Sequence, residues 1–261
     1  MAYGECDVRL FKRFVDPNAC RTFFCYGREK LLGVVEILER DAFAGVLAVV
    51  DNDSSEIFGE RIASNNVIIT DENDIELVIF RSDVLERVLA EYCNAGNLAA
   101  FEHAKNEPIR DTFVRIAGAL GALRCLSKLN AWHLKFEDMT LQFEQRRDIE
   151  ISVDQQIEHL RGRTHGTTMP LLAQVRQDVS DFRAKFPDTR RYVSGHDICG
   201  LISKSIHDVF GRAHVAIVRS AEAIEEVFRA AFSDENFRAT TIFVQINAWE
   251  ARNSPFRILR Q

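Results

Sequence analysis

No apolar run in this chain reaches the ~18–20 residues that a membrane-spanning helix needs, and the first residues carry no basic-then-apolar leader pattern. The six cysteines, Cys6, Cys20, Cys25, Cys93, Cys125 and Cys199, form no CxxC pair and no zinc spacing. They are expected to be reduced thiols in a cytoplasmic protein. Internal repeats and low-complexity tracts are missing as well, which excludes a solenoid or a Pro-rich linker protein. There is no basic excess: 33 Lys and Arg face 39 Asp and Glu, a net charge of −6. That balance argues against a general polyanion-binding surface.

What is present is ordinary in amount and uneven in distribution. The 261 residues are 46% hydrophobic and 28% charged, enough for one large domain or two modest ones. Between Asp51 and Glu91 acids accumulate (Asp51, Asp53, Glu56, Glu60, Asp71, Glu72, Asp74, Glu76, Asp83, Glu86, Glu91) against only Arg61, Arg81 and Arg87. Basic residues gather later, at Arg146-Arg147, Arg161-Gly162-Arg163 and Arg190-Arg191. A charge run usually marks a solvated face; acid in one half and base in the other also fits a metal site beside a phosphate-gripping lobe.

The most informative stretch is Gly45 to Asp53 (GVLAVVDND). Five consecutive apolar residues between Gly45 and a polar triplet predict a strand buried on both faces. Its end carries Asp51 and Asp53, which the two-residue strand period puts on one side. In an open α/β sheet, ligands sit beyond the carboxyl ends of the strands, and two hard oxygen donors there suit Mg²⁺. Asp-Asn-Asp is also common turn chemistry, so the motif alone leaves both readings open.

Around it, Asp7–Val15 predicts an amphipathic helix, Cys20–Tyr26 a strand closed by Gly27, and Lys30–Glu39 a second helix. Val67–Thr70 predicts another short strand, and Ile75–Tyr92 one helix. Alternating strands and helices imply a mostly parallel sheet flanked by helices, an α/β domain over residues 1–94. A mostly helical second domain is expected over 95–261. Its helices are Thr112–Leu129, where Gly118 and Gly121 allow close packing, Val153–Leu160, Leu171–Phe186, Asp197–Phe210, Ala221–Phe232 and Thr241–Trp249. Residues 137–151 are expected to be a polar connection, 161–168 a mobile loop, and Trp249 and Phe256 core.

Taken in order, DVRLFKRF (7–14), VDND (50–53), TDENDIE (70–76), SGHDICGL (194–201) and the WEARN core (249–253) resemble one bacterial branch of the Toprim domain. That is the metal-binding fold of topoisomerases, primases and OLD-type nucleases, and the branch includes the effector of the PARIS anti-phage system. The resemblance implies a Mg²⁺- or Mn²⁺-dependent phosphodiesterase acting on RNA, including tRNA, or on DNA. It further implies an ABC-type ATPase partner or a homodimer, and no membrane. Carried over by motif, Asp51, Asp53, Asp74 and Glu76 hold the metal, and Glu5, Asp51, Asp53 and Glu76 form the catalytic set. Several acids must converge because the metal neutralises phosphate charge and activates water. The family's first strand ends in a glutamate; here Tyr3 stands at that position and Glu5 lies two residues later, on a loop. A phenol with a pKa near 10 cannot serve as a carboxylate does. Arg28 and His196 are candidate phosphate contacts, each with a plain alternative: a solvated arginine, and a histidine packed on a helix that Asp197 caps. The competing functions are a catalytically silent relative that binds an ATPase, and a phosphotransferase with an aspartyl-phosphate on Asp51.

Overall fold

The computed structural model describes residues 5–137, 139, 141, 143–144, 148–212 and 218–260. It is mixed α/β with helix predominating. Two parallel strands, β1 (Ala48–Val50) and β2 (Val67–Ile69), pair in the register Ala48–Val67, Val49–Ile68 and Val50–Ile69. The helices are α1 (Glu5–Phe11), α2 (Arg28–Arg40), α3 (Ser55–Phe58), α4 (Ile75–Arg81), α5 (Val84–Tyr92), α6 (Ala95–Lys105), α7 (Ile109–Leu129), α8 (Val153–Arg163), α9 (Leu172–Lys185), α10 (Gly195–Ser205), α11 (Ala221–Ala231), α12 (Asp234–Arg238) and α13 (Thr241–Arg252).

β1 is buried on both faces, as its unbroken apolar run predicts. Ala48 and Val50 pack with Leu31 and Val35 of α2 on one side, and Leu47 joins the main core on the other. That core is continuous from Val8 through the middle of α7 to Trp249 and Leu259. The chain closes on itself where Val15 bridges Leu259. Glu250 of the WEARN segment explains the closure: its Oε1 accepts the backbone N–H groups of Ile258 and Leu259. Trp249 is buried, and its indole N–H donates to Asn66 Oδ1 at 2.9 Å beside β2.

Four expectations need correction. Cys20–Tyr26 has one bridge residue, Phe24, and no continuous strand, and Phe23 and Tyr26 are exposed. Ile75–Tyr92 is two helices: the guanidinium of Arg110 on α7 donates to the Phe80 and Ser82 carbonyls and ends α4 there. Residues 161–163 complete α8, and Thr167 is tied to the Trp132 carbonyl, so this segment is anchored at both ends. Phe256 is 41% exposed rather than core. Gly121 does serve close packing, since a methyl group there would lie 2.3 Å from the Tyr192 carbonyl oxygen; Gly118 meets only ordinary contacts. Tyr3 and Arg146-Arg147 lie outside the described residues. Among the described residues no helix is long and apolar enough to cross a membrane.

Candidate functional site

The loop after β1 is built by its neighbours. Asp53 and Ser54 both take left-handed backbone conformations (φ 48° and 60°), which cost about 1–2 kcal/mol for residues with a Cβ. Asn73 offsets that cost. Its carbonyl oxygen accepts Asp53 N–H at 3.0 Å, and its side-chain oxygen accepts Ser54 N–H at 2.8 Å. Asn52 is held likewise, donating its N–H to Thr70 Oγ1 and accepting Ser55 N–H on Oδ1. The two strand ends are therefore laced together, and the Asp-Asn-Asp triplet is fixed. Buried Asn52, Thr70 and Asn73 were not singled out from sequence as positioning residues; the polar triplets at both strand ends were the only available signal.

Asp74 caps α4, with Oδ1 accepting Leu77 N–H at 2.9 Å. Its Oδ2 accepts Gly195 N–H at 2.7 Å, so one carboxylate joins the first turns of α4 and α10. Gly195 permits this approach: a methyl group there would lie 2.4 Å from Asp74 Oδ1 and 2.5 Å from Glu76 Cβ. The TDENDIE and SGHD segments, 121 residues apart, thus meet at one point. Glu76 pairs with the buried Arg229 at 3.1 Å. Arg229 lies 3.6 Å from Glu225, which takes His196 Nδ1 at 2.7 Å. Asp197 makes a two-pronged ion pair with Arg124 of α7, at 2.9 and 2.6 Å.

Acids crowd this end of the sheet. Burial, then the Asp74, Asp7, Glu76 and Asp53 carboxylates, hold the Asp51 carboxyl well above the usual range. Asp53 is raised by burial against the opposing pull of Arg28 and Lys128. Burial pushes Asp74 up to about 7 despite its two backbone donors. Glu76 rises to about 8 through burial and the Asp74, Asp7 and Glu225 charges. Glu72 rises to about 7 by burial, with Arg81 and Arg190 opposing.

Asp53 and Asp74 line a cleft of about 810 Å³ together with Arg28, Lys30, Arg124 and Lys128, and Asp51 is not among its lining residues. Arg28, which the sequence nominates for phosphate, sits here with Nη2 2.6 Å from Ser55 Oγ and Nη1 on Glu60. Arg124 and Lys128 went unnoticed in the sequence; their four-residue spacing on the C-terminal half of α7 puts them on one face. His196 lies elsewhere, lining a separate cavity of about 510 Å³. Asp197 does not cap α10 but sits in its first turn, paired to Arg124. Of the basic clusters, Arg161 and Arg163 bind the Pro170 and Glu137 carbonyls away from the cleft, while Arg191 pairs with Glu56 and Asp188. Glu5 opens α1 rather than lying on a loop; its side chain lies outside the described residues.

Among the described residues no three Asp, Glu, His or Cys side chains converge in metal-ligating geometry. The reason is visible: both oxygens of Asp74 are taken by backbone donors, and Glu76 is turned to Arg229. Asp51 and Asp53 have no such commitments among the described residues. Magnesium is commonly held by one or two carboxylates and keeps several waters. Asp51 and Asp53 carry that donor chemistry, but the left-handed turn at Asp53 (φ 48°) breaks the strand period that would put both carboxylates on one side, and only Asp53 lines the cleft. The mutual repulsion of the surrounding acids is what a bound cation would relieve. No protein-family model, curated protein or solved structure matches the chain.

Proposed function

We propose that this protein is a Toprim-like, divalent-cation-dependent nuclease that hydrolyses phosphodiester bonds at the end of β1. The observation that carries the reading is the crowd of raised carboxylates at the strand ends, two members of which, Asp53 and Asp74, line one cleft together with Arg28, Arg124 and Lys128. Acids held together against their own repulsion favour a cation between them. Cations in the same cleft favour a polyanionic substrate despite the net charge of −6.

In this reading Asp51 and Asp53 hold Mg²⁺ or Mn²⁺, which when bound supplies charge neutralisation and a more acidic water. Asn73 and Asn52 keep the two aspartates in place. Arg28 and Lys128 orient the phosphate, and a two-pronged guanidinium is the better of the two at fixing its direction. Asp74 and Glu76 position the site: Asp74 joins the first turns of α4 and α10, and Glu76 is held by Arg229. The sequence resemblance and this cleft support the same chemistry independently.

The test is thermal melting with and without Mg²⁺, followed by hydrolysis assays on mixed tRNA and DNA. Saturation to 100 times Kd stabilises by about 2.7 kcal/mol, a rise of roughly 5–10 °C for a chain of this size. Asp51→Asn and Asp53→Asn are each expected to abolish that rise and the hydrolysis, and to melt higher than wild type in EDTA because a repelling charge is gone. An unchanged Mg²⁺ shift in both variants refutes the assignment.

A further inference from the structure

Tyr26 is 76% exposed at the mouth of the cleft, an uncommon place to leave a large ring. Its ring is nonetheless not loose. Phe24 meets it edge to face, with centroids 4.8 Å apart and planes at 70°. The Lys30 ammonium lies 5.7 Å from the ring centroid. Immediately after it Gly27 turns at φ 110°, a conformation that L residues rarely adopt, and the chain enters α2. Tyr26 and Arg28, on either side of that turn, both line the cleft. Lys128, which shares the Glu60 carboxylate with Arg28, sits 3.9 Å from the Phe58 ring centroid. The one cleft is therefore lined by an exposed aromatic ring, by the cations Arg28, Lys30 and Lys128, and by the Asp53 and Asp74 carboxylates.

A nucleotide carries the complementary chemistry: a flat base for an aromatic ring, and a phosphate, with the bond to be cut, for cations and a metal-holding carboxylate. We propose that Tyr26 is a stacking platform for an unpaired nucleobase, so that the substrate is a single-stranded or looped nucleic acid and not a duplex. This deepens the nuclease reading and rests on it. A base inside a duplex has both faces covered by its neighbours and cannot offer one to Tyr26, whereas an unpaired base stacks readily on an exposed ring. The cations beside the ring take the backbone phosphate on either side of that base. Phe24 holds the ring rigid, so little side-chain freedom is lost on binding.

The experiment uses 12-nucleotide single strands carrying 2-aminopurine, and the matching duplexes, titrated into the full chain bearing Asp51→Asn so that no cleavage interferes. Stacking quenches 2-aminopurine fluorescence. Quenching is expected with the single strand. In the same background, Tyr26→Ala is expected to lose the quench and bind roughly 5- to 150-fold more weakly, while Tyr26→Phe keeps both. The ring is 76% exposed and its only aromatic contact among the described residues is the surface residue Phe24, so the Tyr26→Ala melting temperature should stay close to its parent's, which separates lost binding from lost folding. Three results overturn the inference: duplex binding as tight as single-strand binding, unchanged affinity and quench in Tyr26→Ala, or self-association that Tyr26→Ala removes without any oligonucleotide binding. Failure of the nuclease reading is read separately, as absence of hydrolysis in the wild-type chain.

Discussion

The missing side chain of Gly195 decides how close α10 comes to α4. Asp74 can bind Leu77 N–H and Gly195 N–H together only because no Cβ stands between the helices. Gly195→Ala is therefore expected to lower stability by about 1–3 kcal/mol through overpacking, measured by urea denaturation, and to weaken Mg²⁺-induced stabilisation as Asp74 and Glu76 shift. An alanine that costs nothing would show that the two helices part easily. Asn73 acts at the same scale: its side-chain oxygen replaces a backbone acceptor for the left-handed loop. An aspartate there would add one more charge to a site already crowded with them.

Between elements, the tie that matters most to the cleft is Arg124 on α7 with Asp197 on α10. Asp197 is 4% exposed, and its carboxylate receives two guanidinium N–H groups. The guanidinium also lies 4.3 Å from the Phe136 ring centroid, which limits where it can go. Removing one partner of such a pair strands the other, at a cost of about 3–5 kcal/mol when fully buried; Arg124 is partly open, so about 2–3 kcal/mol is expected for Asp197→Ala. Arg124→Ala with Asp197→Ala should cost less than the two single changes added, in a double-mutant cycle read by urea midpoints. Strict additivity would mean the pair contributes nothing beyond its separate contacts. The same scale explains the break between α4 and α5. Apolar periodicity runs unbroken through Ser82 and Asp83, and the break comes from Arg110, 28 residues further on.

Over the whole molecule, the crowded acids set a pH dependence. Glu72 and Asp74 titrate near 7 and Glu76 near 8 in the fold, against about 4 for carboxyls in the unfolded chain. The folded state thus holds more protons between these values, and stability falls as pH rises through that window. The opposite trend appears at low pH, where Asp188, held down to about 2 mainly by its Arg190 hydrogen bond, and Glu107 and Glu150, held low by Arg115, lose their pairing as they protonate. In EDTA the melting temperature is expected to peak near pH 5–6 and to decline toward pH 8. Saturating Mg²⁺ should flatten the alkaline side. A melting temperature that climbs from pH 6 to pH 8 in EDTA would contradict these raised carboxyls.

The sequence by itself determined β1, β2 and most helices of the second half, because each carries a local period or an unbroken apolar run that one face of the fold must bury. It also located the acids, since Asp51, Asp53, Asp74 and Glu76 flank strand ends that the pattern already marks. Tertiary structure alone decided what those acids do. Asp74 spends its oxygens on Leu77 and Gly195, and Glu76 turns to Arg229. It also decided which cations face them: Arg124 and Lys128 from α7 reach the cleft, while the Arg161 and Arg163 side chains bind carbonyls elsewhere. The physical reason is range. A period is read within a dozen residues, but the partner of a buried charge is chosen by whichever polar group the packed core brings within hydrogen-bond distance, however far away in the chain it lies.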